Sequence, residues 1–241
     1  MQRYVSHELF HFVGRGEPEA RQYDLLLTIV RSGWLTHPPH HPMVAGNLFV
    51  NPNARLSRNE MYSPQVVCFC DIPLQELEIH VQKYSRFGLA FSKEVIVQHG
   101  GAPVHYIPMT AQIQVSGPWS LEPIDAGEYF DKMVREYHDL FTICERMIRE
   151  KEEWPAVQGD SRRLWTLRTF FDFHVFSYLK FFDHTLPDHH PENYYFEREW
   201  RLIGNLQFAV KDVSTIVVPT SYAERLSADL PDFTGRRHFL D

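Results

Sequence analysis

Tyr194-Tyr-Phe-Glu-Arg-Glu-Trp-Arg-Leu-Ile203 alternates polar and apolar residues closely enough to predict a β-strand late in the chain. Alternate residues of a strand share a face. Tyr195, Glu197, Glu199 and Arg201 are therefore expected on one side, and Phe196, Trp200 and Leu202 on the other. Two carboxylates and an arginine on one strand face make either a chemical site or a solvated charged surface, and the spacing alone weighs the two about equally.

Strands recur on both sides of this stretch. Glu8 to Val13 reads as a strand closed by Gly14-Arg-Gly16, and Val66-Val-Cys-Phe-Cys70, Phe87-Gly-Leu-Ala-Phe91, Pro103-Val-His-Tyr-Ile107 and Ser214-Thr-Ile-Val-Val-Pro219 read as four more. Helices are predicted from about Pro18 to Arg31, stopped by Ser32-Gly33, from Asp71 to about Lys83, from Ser92 to His99, and at Ser221 to Leu226. Between the early and late strands, Phe130, Val134, Tyr137, Phe141, Cys144 and Ile148 recur every three or four residues, the mark of a long amphipathic helix over 125–151. A second helix is expected over 161–183. Leu164, Trp165, Phe170, Phe173, Phe176 and Tyr178 make it apolar nearly all round, which implies burial. No linker composition separates these parts. The expectation is an α+β fold in a single domain, 1–241, with a helical insertion at about 125–183.

Composition narrows the function. The chain has 241 residues, 44% hydrophobic, and a net charge of -7, which argues against a general coat for duplex nucleic acid. Met1-Gln-Arg-Tyr-Val-Ser-His-Glu8 has no apolar leader, and no apolar run approaches the roughly 20 residues that span a bilayer. Three cysteines, Cys68, Cys70 and Cys144, cannot all pair, which suits a reducing compartment; a cytoplasmic location is expected. Cys68 and Cys70 are read as small core residues pointing the same way.

Histidine raises a rival chemistry. His7-Glu-Leu-Phe-His11 matches the zinc-protease pattern H-E-x-x-H, which needs both histidines on one helix face and a third ligand downstream. The stretch runs straight into Val13-Gly-Arg-Gly16, which leaves too little helix, so a zinc metalloprotease stands as a minor alternative and no metal is assigned. The clusters His37/His40/His41 and Asp188-His-His-Pro191 lie in proline-rich loops and read as solvated.

A resemblance joins several of these pieces. Val67-Cys-Phe-Cys-Asp-Ile-Pro-Leu74, His80, Tyr84, Phe87-Gly-Leu-Ala-Phe-Ser-Lys93 and Tyr195-Phe-Glu-Arg-Glu-Trp-Arg201, in that order, resemble the AbiGi abortive-infection family. The resemblance implies phage defence, with a toxin or antitoxin protein as partner. The layout is also similar to ADP-ribosyltransferases of the DarT type, apart from the middle motif and the asparagine-threonine start that those proteins carry. That likeness implies an ADP-ribosyltransferase-like fold, NAD as substrate and a macromolecular ADP-ribosyl acceptor. It implies that Glu199 stabilises the ribosyl cation formed as nicotinamide leaves, while Glu197 activates the acceptor or a water. His11, with Phe12 beside it, would hold the ADP-side ribose, Tyr84 or Phe91 would stack on nicotinamide, and Arg201 would face a phosphate or pair with the two glutamates. The other reading is a non-enzymatic antitoxin or regulator.

Overall fold

The computed structural model describes residues 6–38, 40, 47–113, 123–150, 154–187, 190 and 193–241. The chain divides into two compact units. The first comprises 1–47, 65–104 and 195–241, and the second 48–64 and 105–194.

The first unit is built on a seven-stranded mixed sheet. Its strands in chain order are β1 (Glu8–Phe12), β2 (Val66–Cys70), β3 (Gly88–Ser92), β4 (Ala102–Pro103), β5 (Glu199–Ile203), β6 (Val213–Pro219) and β7 (Arg236–Leu240). They lie in the order β7-β6-β3-β1-β2-β5-β4, and of these contacts β6 with β7 is parallel and the rest are antiparallel. Neither sheet face is left bare, which is why the strands read as near-continuous apolar runs. On one face Leu9, Val67, Phe69, Leu89, Phe91, Leu202, Ile216 and Val218 pack with Tyr23, Leu26, Ile29 and Val30 of helix α1 (Glu19–Ser32). On the other, Phe10, Cys70, Ala90 and Val217 pack with Ile72 and Leu77, and with the partly buried Phe12, Leu74, Val81 and Leu240.

Local chemistry sets the joints. Helix α1 stops where Gly33 turns left-handed at φ 69° and returns its N–H to the Ile29 carbonyl. A side chain there would meet the Phe208 carbonyl oxygen at 2.7 Å. After β2, Pro73 leads into a 3-10 turn, Leu74–Glu76, and then the short helix α2 (Glu78–Lys83), so the single helix expected from Asp71 is broken in two. Ser92 caps helix α3 (Lys93–Gln98) by accepting the Val95 N–H.

The second unit holds the long helix α4 (Ala126–Arg149), with Val134 and Phe141 buried, and helix α5 (Trp154–Thr169). The helix expected to run from Ser161 to Asp183 ends early. The backbone widens into a π turn at Phe170–Val175, then a 3-10 turn, then a strand, Leu179–Phe182, parallel to His105–Pro108. The wide turn aims Asp172 inward, where it accepts hydrogen bonds from Tyr62 (3.1 Å) and Tyr137 (3.2 Å). Burial of the segment is likewise only partial, because Trp165, Leu167 and Phe170 are exposed while Phe181 is buried. The stretch Pro103–Ile107, expected as one strand, splits at Val104 between β4 and His105–Pro108.

Candidate functional site

The expected strand over 194–203 begins only at Glu199. Tyr194–Glu197 forms a 3-10 turn, and Arg198 takes φ 44°, a left-handed conformation uncommon for a residue with a side chain. The four residues expected on one strand face are thus split, with Tyr195 exposed and Glu197 set back in the turn. Glu199 and Arg201 do share a face, and the Arg198 carbonyl ties the joint down by accepting the Asp71 N–H.

Strand register then sorts the candidates. Glu199 lies opposite Cys70, and Cys70 opposite Phe10, so Glu199 and Arg201 project from the same sheet face as Phe10 and Phe12. His11, one residue out of phase, lies opposite Leu89 and projects from the α1 face, where Phe91 is fully buried. The structure brings together Phe12, Tyr84, Glu197, Glu199 and Arg201, and puts His11 and Phe91 on the opposite side of the sheet. The stretch carrying the H-E-x-x-H pattern is strand β1, not a helix.

On the shared face each carboxylate is engaged. Glu197, 5% exposed, accepts a 2.6 Å ion-paired hydrogen bond from Lys83 and a very short one from the Tyr84 hydroxyl. Glu199, 6% exposed, accepts Arg201 Nε at 2.6 Å and Nη2 at 3.3 Å. Burial and the neighbouring Glu197 push the Tyr84 hydroxyl well above its ordinary pKa, so it stays a donor. Arg15 sits over the Tyr84 ring at 5.2 Å.

Between these groups lies His80, carried on α2. Its ring stacks with Phe12 (6.5 Å between centroids) and meets Phe196 edge-on (5.3 Å) and Tyr84 (6.1 Å). It is 2% exposed, and neither ring nitrogen has a hydrogen-bond partner among the described residues. Desolvation lowers its pKa to about 4, against the pull of Glu197, so it is neutral at pH 7. His80 entered the sequence reading only as part of a motif. Lys83, which holds Glu197 across 114 residues of sequence, gave no sequence signal at all.

The other face has a histidine group of its own. His11 Nδ1 bonds the Cys68 carbonyl (2.7 Å), His37 Nδ1 the Val66 carbonyl (3.0 Å) and His40 Nδ1 the Thr36 carbonyl (2.9 Å). His40 packs edge-on against His11 at 5.6 Å, so two of the loop histidines expected to be solvated are half-buried instead; His41 lies outside the described residues, as do Asp188 and His189. Burial, with His40 nearby, lowers the His11 pKa to about 3. Cys70 is buried, whereas Cys68, expected as a small core residue, is exposed. Among the described residues no group of three or more His, Cys, Asp and Glu is placed to hold a metal ion.

In the second unit a cavity of about 560 Å³ is lined by Arg55, Arg58 and Arg135 together with Asp125, Glu128, Asp131 and Asp183. Its charges nearly balance, and it contains none of the residues singled out in the sequence. No helix among the described residues is long and apolar enough to cross a membrane.

Comparison with known families decides the relationship. The profile described as "Putative abortive phage resistance protein AbiGi, antitoxin" matches residues 52–228, well over half of the chain. The chain belongs to the AbiGi family. The matched span runs from the second unit's first strands through α2, the Glu197 turn and β5 to β6, so it contains every member of the engaged cluster except Phe12 and Arg15. No curated protein and no solved structure matches the chain.

Proposed function

We propose that this AbiGi protein acts in abortive phage resistance as an antitoxin, by holding a toxin protein rather than by turning over NAD. Family membership supplies the setting. The observation that carries the reading is the state of the two glutamates. Glu197 and Glu199 are buried and committed to Lys83, Tyr84 and Arg201, the arrangement of a structural ion-pair cluster. A carboxylate that stabilises a ribosyl cation has to face the reacting carbon, and here the cation it faces is already a side chain.

A second reading has one observation in its favour. Phe12, Tyr84, Glu197, Glu199 and Arg201 converge on one face around a buried His80 whose ring nitrogens have no hydrogen-bond partner among the described residues, and perturbed titratable groups gather at chemical sites. On that reading the protein is an NAD-dependent ADP-ribosyltransferase with an ADP-ribosyltransferase-like fold and a macromolecular acceptor, and Glu199 is its catalytic carboxylate. Labelled NAD incubated with the purified protein, cell lysate and nucleic acid separates the two. The antitoxin reading expects no label transfer and co-purification with the toxin. Transfer by the wild type, lost in Glu199→Gln, would replace it with the second reading.

A further inference from the structure

Around the cavity of the second unit the chain fastens its own walls together. Ser57, in the 3-10 turn Leu56–Arg58, donates its N–H (2.9 Å) and its hydroxyl (2.8 Å) to the two oxygens of Asp131 on α4, and both residues are buried. Asn59 ties the same turn to the strand Leu179–Phe182, donating to the Phe181 carbonyl (2.9 Å) and accepting the Phe181 N–H (2.8 Å). Gly127 lets α4 come close, since a Cβ there would meet Ser57 Cβ at 3.2 Å and the Met109 carbonyl oxygen at 3.3 Å. The walls are therefore held in place by the fold itself.

Three arginines line this cavity. Arg55 and Arg58 are one 3-10 turn apart and come to the same side, and Arg135 projects from α4. None of the three makes a hydrogen bond or an ion pair among the described residues. Elsewhere Arg168, Arg201 and Arg225 each pair with a carboxylate at 2.6 to 3.4 Å. Asp131 and Arg135 even have the four-residue spacing that pairs charges on a helix, yet Asp131 is turned to Ser57 and leaves Arg135 open. An unpaired guanidinium keeps its planar fork of N–H donors for an oxyanion.

The carboxylates of the cavity are in the opposite state. Besides Asp131, Asp183 accepts the Thr185 N–H (2.9 Å) and hydroxyl (2.6 Å), and Asp125 accepts the Gln112 side-chain amide. Of the four, only Glu128 has no hydrogen bond or ion pair among the described residues. The charges nearly balance in number, but the groups left open are three arginines against one glutamate. A lone exposed arginine is ordinarily just solvated. Three unpaired ones around a single cavity of about 560 Å³ are a different case. That volume lies within the range of roughly 300–1,000 Å³ for small-molecule sites, and it exceeds what one phosphate fills.

We propose that this cavity binds a small anion carrying two or more phosphoryl groups, with Arg55, Arg58 and Arg135 donating to its oxygens. The proposal does not depend on how Glu197 and Glu199 act, because they belong to the first unit.

The test is isothermal titration calorimetry of sodium pyrophosphate into the full chain, in EDTA and low salt, at two temperatures. One site with a dissociation constant on the order of 10 µM is expected, and inorganic phosphate, which meets fewer of the donors, should bind at least about tenfold more weakly. Arg58→Met and Arg135→Met should each weaken pyrophosphate about tenfold, with unchanged circular dichroism melts because both residues are exposed. Arg146→Met, which removes an exposed arginine of α4 outside the cavity, should leave the affinity unchanged. Glu128→Gln removes the one open carboxylate and should tighten binding. No pyrophosphate binding up to about 1 mM overturns the proposal, as does a loss in Arg146→Met equal to that in Arg135→Met. Binding that appears only when Mg²⁺ replaces EDTA, or that Glu128→Gln weakens, would make the carboxylates the ligand-bearing groups, which also overturns it.

Discussion

Removing Lys83 tests whether the Glu197 cluster is structural. The Lys83 side chain is 12% exposed and that of Glu197 6%, and their 2.6 Å contact is supported by the Tyr84 hydroxyl. Lys83→Met keeps the length and apolar stem of the side chain but leaves a buried carboxylate with a single neutral donor. Breaking a buried pair from one side costs about 3–5 kcal/mol, and the remaining Tyr84 bond puts this case near 3. For a chain of this size that is a fall in melting temperature of roughly 6–12 °C. Glu197→Leu takes the carboxylate away from Lys83 instead, and lysine can bend towards water along its stem, so about 2 kcal/mol is expected. The double variant, Lys83→Met with Glu197→Leu, leaves no buried charge at this pair, and should cost about 1–2 kcal/mol rather than the sum near 5. The coupling is then on the order of 3 kcal/mol.

Urea unfolding of the four proteins, followed by circular dichroism with the slope checked for constancy, measures the cycle. A coupling below about 0.5 kcal/mol, within the scatter of independent sites, would refute the reasoning. It would mean that Glu197 does not depend on Lys83 in the folded protein and is free to face something else.

Two further outcomes follow from the same geometry. His80 folds with a pKa of about 4 and His11 with one of about 3, both below the ordinary 6.5; the unfolded chain therefore binds more protons between these values, and their stabilising contribution is complete above pH 6.5 and lost as pH falls towards 4 and 3. For His80 this is roughly 3 kcal/mol, and urea midpoints from pH 7 to 4 should fall less steeply in His80→Leu than in the wild type. Gly33→Ala adds a methyl group at φ 69° and 2.7 Å from the Phe208 carbonyl, so it should lower the urea midpoint by the equivalent of about 2 kcal/mol or more, whereas Gly16→Ala, also left-handed but with open space around it, should cost only about 1.

Much of the first unit's sheet was legible because most of its strand residues are buried on both faces; Gly88-Leu-Ala-Phe-Ser92 shows that directly, and Val66-Val-Cys-Phe-Cys70 does so apart from the exposed Cys68. The start and stop of α1 were legible too, since Pro18 and Gly33 mark them chemically. What could not be read has specific causes. The strand at 194–203 fails at Arg198, whose left-handed backbone is set by its surroundings and not announced by arginine. The helix at 161–183 fails at Asp172, because an inward carboxylate is stable only with Tyr62 and Tyr137 already in place, 110 and 35 residues away. The partners of Glu197 are missed for the same reason, as Lys83 becomes its counter-ion only after β2, α2 and the 194–197 turn have met.

The phase of one strand carries the sharpest functional consequence. β1 offers His11 and Phe12 as neighbours in sequence, and a ligand site that uses both would have to straddle the sheet. Pairing of Phe10 with both Cys70 and Ala90 fixes the phase from two sides, so it cannot be shifted without exposing Phe10 and burying a different set of side chains. Any chemistry at Glu199 must therefore be done with Phe12, Tyr84, His80, Glu197 and Arg201, and without His11 or Phe91. That requirement weakens the likeness to an NAD site at the very residues that suggested it, since the ribose-binding role had been given to His11. The antitoxin reading makes no such demand. It needs a folded first unit, of which the buried ion-pair cluster is a structural part, and a surface elsewhere for the partner.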